Sequence, residues 1–107
     1  MCQNKSMIIY NITTLVSWPV HEDWKEWMIN EQLPQILSTQ LFTHYRMVRL
    51  LEVNEDEGPT YAVQLYLNNI ANFYLYREKH LEEFQKKEKL AWGDYTSSFA
   101  SLMEVIN

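Results

Sequence analysis

The sequence predicts an α+β fold in which a four-stranded antiparallel sheet carries two helices on one face. Three observations predict it. The 107 residues have the length of one domain. Runs of β-branched and aromatic residues alternate with stretches of helical spacing. A composition that is 47% hydrophobic and 14% aromatic, with 2 Gly and 3 Pro, indicates regular elements joined by short loops.

The chain opens with a predicted strand that leads into a helix. Residues 7–16, MIIYNITTLV, are rich in β-forming side chains. Ser17 can cap the helix, and Pro19 suits its first turn because proline lacks the amide hydrogen that would be unpaired there. Pro34 is expected to end or kink this helix, with a short second piece beyond it.

The segment WPVHEDWKEWM (18–28) concentrates three tryptophans, a histidine and three acids. We interpret it as a buried helical stripe rather than a reactive site, because its large apolar residues follow helical spacing: Val20, Trp24, Trp27 and Met28. His21 has no second histidine four positions later, so the HExxH metal motif is absent and a solvated first turn is favoured.

The second half of the chain predicts a hairpin, a helix and a final strand. The β-rich runs 44–53 and 60–67 flank the polar turn 54–59. A helix capped by Asn68 or Asn69 follows, with apolar positions at Ile70, Phe73, Tyr74, Leu81 and Phe84 and a stop at Gly93. Residues 97–106 form the last predicted strand.

The resulting β-α-β-β-α-β order is the ferredoxin-like arrangement, with an expected strand order of 4-1-3-2. Residues 1–6 are expected to be an unstructured lead-in, and residues 7–107 one ferredoxin-like domain. Neither side of the predicted strands is cleanly polar, so helices on one face would leave an apolar sheet face in water. We therefore expect a homodimer packed sheet to sheet around a two-fold axis, as in a dimeric α/β barrel.

Charge and cysteine usage narrow the function classes. The net charge is −5, and the only basic cluster, at 86–89, is flanked by acids, so a nucleic-acid partner is not expected. No apolar run approaches the ~20 residues of a membrane span. Cys2 is the only cysteine and the N-terminus lacks a secretory signal, which together favour a cytoplasmic protein without a disulfide.

The length, the element order and the two-sided strands resemble the dimeric α/β-barrel superfamily, which includes small cofactor-independent monooxygenases. A closer resemblance is to a family of short uncharacterised bacterial domains within it, carried by MIIYNITTLV, the WxxWM of 24–28, Leu33–Pro34, the FxxxR of 42–46 and TYAVQ at 60–64. That pattern has a histidine where this chain has Gln32 and a glycine where it has Gln40. The resemblance implies the fold and no established activity.

Candidate site residues are few. The resemblance implies a helix histidine, which makes His80 a candidate general base, although the charged REK before it favours a surface position. Arg49 is expected on the helix side of the sheet, where it could pair with Glu31. Four polar residues should share the other side of the hairpin, either as an anion or carbonyl site or as a network at the dimer interface: His44, Arg46, Gln64 and Tyr66.

Two hypotheses follow. The first is a non-catalytic dimeric domain that binds a small molecule, such as a small apolar ligand, or a protein partner, without cofactor or metal. The second is a cofactor-independent enzyme of the monooxygenase or isomerase type acting on an aromatic or otherwise apolar substrate, with aromatic residues near a cleft: Trp24, Trp27, Tyr74 and Trp92. A deep pocket with His80 or Arg49 pointing inward would favour the enzyme. A filled core would favour the binding domain.

Overall fold

The computed structural model describes residues 6–107, so Cys2 and all but the last residue of the expected lead-in lie outside the described part of the chain. The four strands are β1 (Ile8–Val16), β2 (His44–Arg49), β3 (Thr60–Leu67) and β4 (Thr96–Glu104). The α-helices are α1 (His21–Trp27), α2 (Leu33–Leu37), α3 (Ile70–Lys79) and α4 (Leu81–Trp92). Short 3₁₀ turns span Trp18–Val20 and Gly93–Tyr95.

The strands form one antiparallel sheet in the order β2-β3-β1-β4, which confirms the predicted ferredoxin-like topology. Tyr10 of β1 lies opposite Leu65 of β3 and Leu102 of β4, so these three side chains form one row on the helix side of the sheet. Since successive strand residues alternate between faces, Ile9 and its partners Tyr66 and Met103 lie on the open side.

The first helical region remains continuous past the predicted break. A π-helical turn, Met28–Gln32, joins α1 to α2, and Pro34 is the second residue of α2. The expected interruption near this proline is therefore a local change of helix type just before it and not an end of the helix. Trp24 and Met28 are buried, as the stripe predicts. The solvated first turn is only partly right, because the His21 ring is half-buried and its Nδ1 lies 3.3 Å from the Tyr61 hydroxyl.

The predicted second helix is two helices, broken at His80, whose φ of −132° is not helical. Asn69 caps α3 by accepting a hydrogen bond from the backbone N–H of Asn72, and Gly93 ends α4. The prediction that Tyr74 belongs to the core is wrong. Its side chain is exposed, while Tyr76, on the opposite side of the helix, is buried.

The hairpin loop begins four residues earlier than predicted, because β2 ends at Arg49 and Glu52 adopts a φ of +58°. Extended backbone requires negative φ, so the strand cannot continue through this residue. Gly58 closes the loop against the end of β1, where an added Cβ would lie 1.8 Å from the carbonyl oxygen of Val16.

The core lies between β1, β3 and the helices, and it ends before β4. Trp24, Leu33, Leu65 and Tyr76 are among its fully buried side chains. Every residue of β4 after Thr96 is exposed, on both faces of the sheet. Within residues 6–107, no helix combines the length and the apolar character that crossing a bilayer requires.

Candidate functional site

A cavity of about 190 Å³ lies between the helices and the sheet, close to β4. Most of its walls are apolar: Ile12, Met28, Leu33, Ile36, Leu81, Phe84, Phe99 and Ala100. Its polar walls come from Tyr10, Gln32, Tyr76, Gln85, Glu88 and Ser98. This mixture, apolar walls with a few convergent polar groups, is typical of small-molecule sites.

Local sequence places both helical walls. Met28 and Gln32 are the first and last residues of the π-helical turn, and both line the cavity. Such turns are rare and are found often at functional sites. On α4, Leu81, Phe84 and Glu88 recur at the three- and four-residue spacing that puts side chains on one helix face. Glu88 therefore faces the cavity within an otherwise charged and solvated segment.

Three of the polar side chains are more than nine-tenths buried: Tyr10 is 6% exposed, Gln32 4% and Tyr76 1%. Gln32 donates from Nε2 to the Phe84 carbonyl at 3.0 Å. Neither tyrosine hydroxyl has a hydrogen-bond partner within residues 6–107, and both line the cavity. Burial raises the pKa of each, and the nearby Glu88 carboxyl raises the pKa of Tyr10 further. Trp92 Nε1 is the one enclosed and unpaired side-chain polar atom of residues 6–107, so both hydroxyls keep access to the cavity space, where a bound molecule can pair them.

Glu88 is the one ionisable acid on the cavity wall formed by residues 6–107. Its Oε2 accepts a hydrogen bond of 3.3 Å from the indole Nε1 of Trp24. Burial raises the pKa of its carboxyl, and the indole bond offsets part of that increase. The lysines beside it bind elsewhere: Lys87 Nζ lies 2.6 Å from Gln35 Oε1, and Lys89 Nζ lies 4.0 Å from Asp94. The described residues thus provide no cation for this carboxylate.

The predicted polar cluster of the hairpin lies on the opposite, open side of the sheet. His44 stacks on Tyr66 with ring centroids 4.3 Å apart and an interplanar angle of 9°. Arg46 pairs in register with Gln64, whose Oε1 accepts a bond of 3.5 Å from the Tyr66 hydroxyl. The four residues are therefore neighbours, but no part of the helix–sheet cavity.

Arg49 and His80 do not line the cavity. Arg49 lies on the helix side of the sheet as predicted, but its partner is Glu55 of the adjoining loop, at 2.8 Å, and not Glu31. The early end of β2 brings Glu55 back beside the strand, which explains the difference. His80 lies at the junction of α3 and α4, half-buried, with its ring 6.1 Å from that of Tyr76.

Of the four aromatic residues expected near a cleft, only Trp24 contacts the site, through Glu88. Trp27 and Trp92 pack edge to face at 5.9 Å, and Tyr74 is exposed. Within residues 6–107, the Trp92 Nε1 is a buried donor without a partner. Sequence reasoning missed the cavity residues because Tyr10 resembled an ordinary strand residue, Tyr76 was not on the helix face expected to be buried, and Glu88 resembled part of a charged run. The spacing from Leu81 and Phe84 was the available signal for Glu88.

The chain belongs to the family described as a domain of unknown function, DUF4286, which matches residues 7–106. No curated protein matches it at a significant level.

Solved structures show the same fold at low sequence identity. A dimeric ferredoxin-like protein from an uncultured marine organism superposes with a TM-score of 0.67 at 13% identity, over 95% of this chain and 97% of that one. A dimeric ferredoxin-like protein of unknown function from Thermobifida fusca gives 0.59 at 16%, over 98% and 97%. A Nitrosomonas europaea protein with the provisional name of antibiotic biosynthesis monooxygenase gives 0.69 at 8%, over 99% and 96%.

Proposed function

We propose that this domain is a cytoplasmic homodimer in which each protomer binds a small, largely apolar molecule in the helix–sheet cavity without catalysing a reaction. The observation that carries the binding proposal is the set of buried polar side chains aimed into an otherwise apolar cavity. The hydroxyls of Tyr10 and Tyr76 face the cavity without a protein partner among residues 6–107, and a bound molecule with one polar end would pair them.

The open side of the sheet supports the dimer. Phe99, Met103 and Val48 are exposed there, and Phe99 has 66% of its surface in water. β4 is also an edge strand, and such strands are normally covered or paired. A second copy packed face to face would bury these side chains, and two of the structural neighbours are described as dimeric. The cluster around Arg46 would then lie in the interface, where either a polar network or a bound anion could pair it.

Native mass spectrometry tests both parts. We expect twice 12.9 kDa, together with an additional small mass on the freshly purified protein. Met103→Glu should give a folded single chain, because Met103 lies on the open side outside the cavity wall and a charge there cannot be buried against its copy. Leu90→Glu is the matched control, since Leu90 is 88% exposed on α4, away from the sheet. A wild-type protein with the mass of one chain would overturn the dimer.

The cavity has its own test. Ala100→Phe should fill the cavity from β4 and remove the additional mass, because Ala100 lines it. Ala71→Phe, on the exposed start of α3, should leave the mass in place. Retention of the bound molecule by Ala100→Phe would locate binding elsewhere.

A second candidate function is a cofactor-independent enzyme of the monooxygenase or isomerase type acting on an apolar or aromatic substrate. The specific observation in its favour is Glu88, because burial raises the pKa of this cavity carboxyl and a carboxyl on a cavity wall can exchange a proton with a bound substrate. Oxygen uptake with a dihydroxynaphthalene, measured against Glu88→Gln, tests the monooxygenase form. Uptake that needs Glu88 would replace the non-catalytic proposal.

A further inference from the structure

The charge pattern of the cavity points to the chemical class of its occupant, an inference that rests on the proposed binding function. We infer that the cavity is built for a protonated amine carried on a small apolar body, with Glu88 as its counter-ion. Three features carry this: an acid without a cation, walls without any positive side chain, and aromatic rings around the same space.

The first feature is the isolated acid. The Glu88 carboxylate accepts a single hydrogen bond, from the neutral indole of Trp24, and forms no ion pair within residues 6–107. The Glu88 side chain is half-buried beside an apolar wall, where a positive charge brought next to its carboxylate gains more attraction than it would in bulk water. The lysines on either side along α4 bind Gln35 and approach Asp94 instead. Among residues 6–107, no cation occupies this position, which leaves the carboxylate available to a cation that enters the cavity.

The second feature is the absence of positive side chains from the cavity wall: no Lys, Arg or His of residues 6–107 lines it. An anionic ligand would meet the Glu88 carboxylate with no compensating charge. A neutral ligand would leave the carboxylate as it is. A cation gains a direct Coulombic attraction to the carboxylate that an anion or a neutral molecule lacks.

The third feature is the aromatic surround. Tyr10 and Tyr76 lie with ring centroids 6.2 Å apart, and Phe84 stacks on Tyr76 at 6.2 Å and 11°. Aromatic faces attract ammonium groups, most strongly where water is excluded. The unpaired tyrosine hydroxyls can also accept the hydrogens of an ammonium group, which carries three donors.

Volume limits the body of the ligand. An engineered apolar cavity of about 150 Å³ binds benzene. The 190 Å³ available here accommodates one aromatic ring with a short side chain. Phenethylamine meets both requirements, because it has one ring and an amine that is protonated at neutral pH.

A charge series of one shape tests the inference. Isothermal titration calorimetry at pH 7 would compare phenethylamine, 2-phenylethanol and phenylacetate, which differ in charge but little in size. We expect phenethylamine to bind at least about tenfold more tightly than the alcohol, and phenylacetate not to bind. Glu88→Gln should remove the preference for the amine while leaving the affinity for the alcohol within about twofold. Glu82→Gln, which removes an exposed acid from the same helix, should change neither.

The outcomes separate the inference from the proposed function. Equal or tighter binding of the alcohol, or an amine preference that survives Glu88→Gln, would overturn the amine assignment and leave the cavity as a ligand site. Failure of all three probes, with an additional mass that Ala100→Phe removes, would also overturn the assignment alone. Failure of all three probes without any such mass would overturn both. Circular dichroism of Glu88→Gln verifies that the variant is folded.

Discussion

One row of side chains crosses the helix side of the sheet and shows two different environments. Leu65 of β3 is fully buried, Tyr10 of β1 is 6% exposed, and Leu102 of β4 is 42% exposed, although all three point to the same side. The helices cover β3 and β1 and end before β4. Strand alternation therefore decides the direction of a side chain, whereas helix placement decides whether it is buried. The cavity lies where this cover ends.

The difference in burial along the row can be tested by shortening a leucine to alanine at each end of it. Leu65→Ala should lower the free energy of unfolding by roughly 2–5 kcal/mol, because it empties a packed position. Leu102→Ala should cost less than about 1 kcal/mol, since its methyl groups are already partly in water. Urea unfolding in the Met103→Glu background measures both without burial of β4 in a dimer. Similar losses for the two variants would show that the helices cover β4 as well.

The two glycines extend the comparison to the ends of the sheet. At Gly58 an added Cβ would overlap the Val16 carbonyl, whereas at Gly93, just before β4, it meets nothing within 4 Å. Gly93→Ala should cost about 1–3 kcal/mol, because its φ of 55° and ψ of −127° form a conformation that residues with a Cβ rarely adopt. Gly58→Ala should cost more, because backbone atoms must move as well. Thermal unfolding orders the two variants, and a milder effect at position 58 would contradict the close packing of the loop on β1.

A third prediction concerns Gln32, which lines the cavity at the edge of the packed core. Gln32→Met keeps the volume but removes the hydrogen bond to the Phe84 carbonyl. We expect a loss of about 1 kcal/mol in the free energy of unfolding. Gln35→Met, on the exposed side of α2, should remain within about 0.5 kcal/mol of wild type. An equal effect at both positions would mean that the buried bond contributes nothing beyond a surface contact.

The smallest expected effect is a pH dependence from Glu88. Its pKa in the folded protein is raised above 4.5, chiefly by burial, so the folded state holds this proton more tightly than the unfolded state. The contribution is fully present below pH 4.5 and is lost as pH rises through the higher folded value. Glu88→Gln should therefore gain stability relative to wild type over that interval. Glu82→Gln serves as the control, and a difference between wild type and Glu88→Gln that is constant with pH would place Glu88 in water.

The positions of the polar residues could be predicted from the sequence only in part. Strand register alone was enough to bring His44, Arg46, Gln64 and Tyr66 to one face, because alternation and a hairpin leave little freedom. The partner of Arg49 was wrong, since the positive φ of Glu52 that shortens β2 has no clear sequence signal. Glu88 was hidden among lysines and glutamates, where only its spacing from Phe84 distinguished it. The roles of His80 and of the hairpin cluster remain predictions.

The order of the elements and the pairing of the strands followed from the sequence alone, because they depend on local periodicity and on turns of a few residues. The side of β1 that faces the helices did not, since neither side of the strands is cleanly polar. Only the tertiary structure decided where the helical cover ends, how the π-helical turn carries Gln32 into the core, and which acid lies beside a cavity. Those features depend on how helices without clearly separated polar and apolar faces pack against a sheet. Packing is a property of many distant residues together, and local patterns do not contain it.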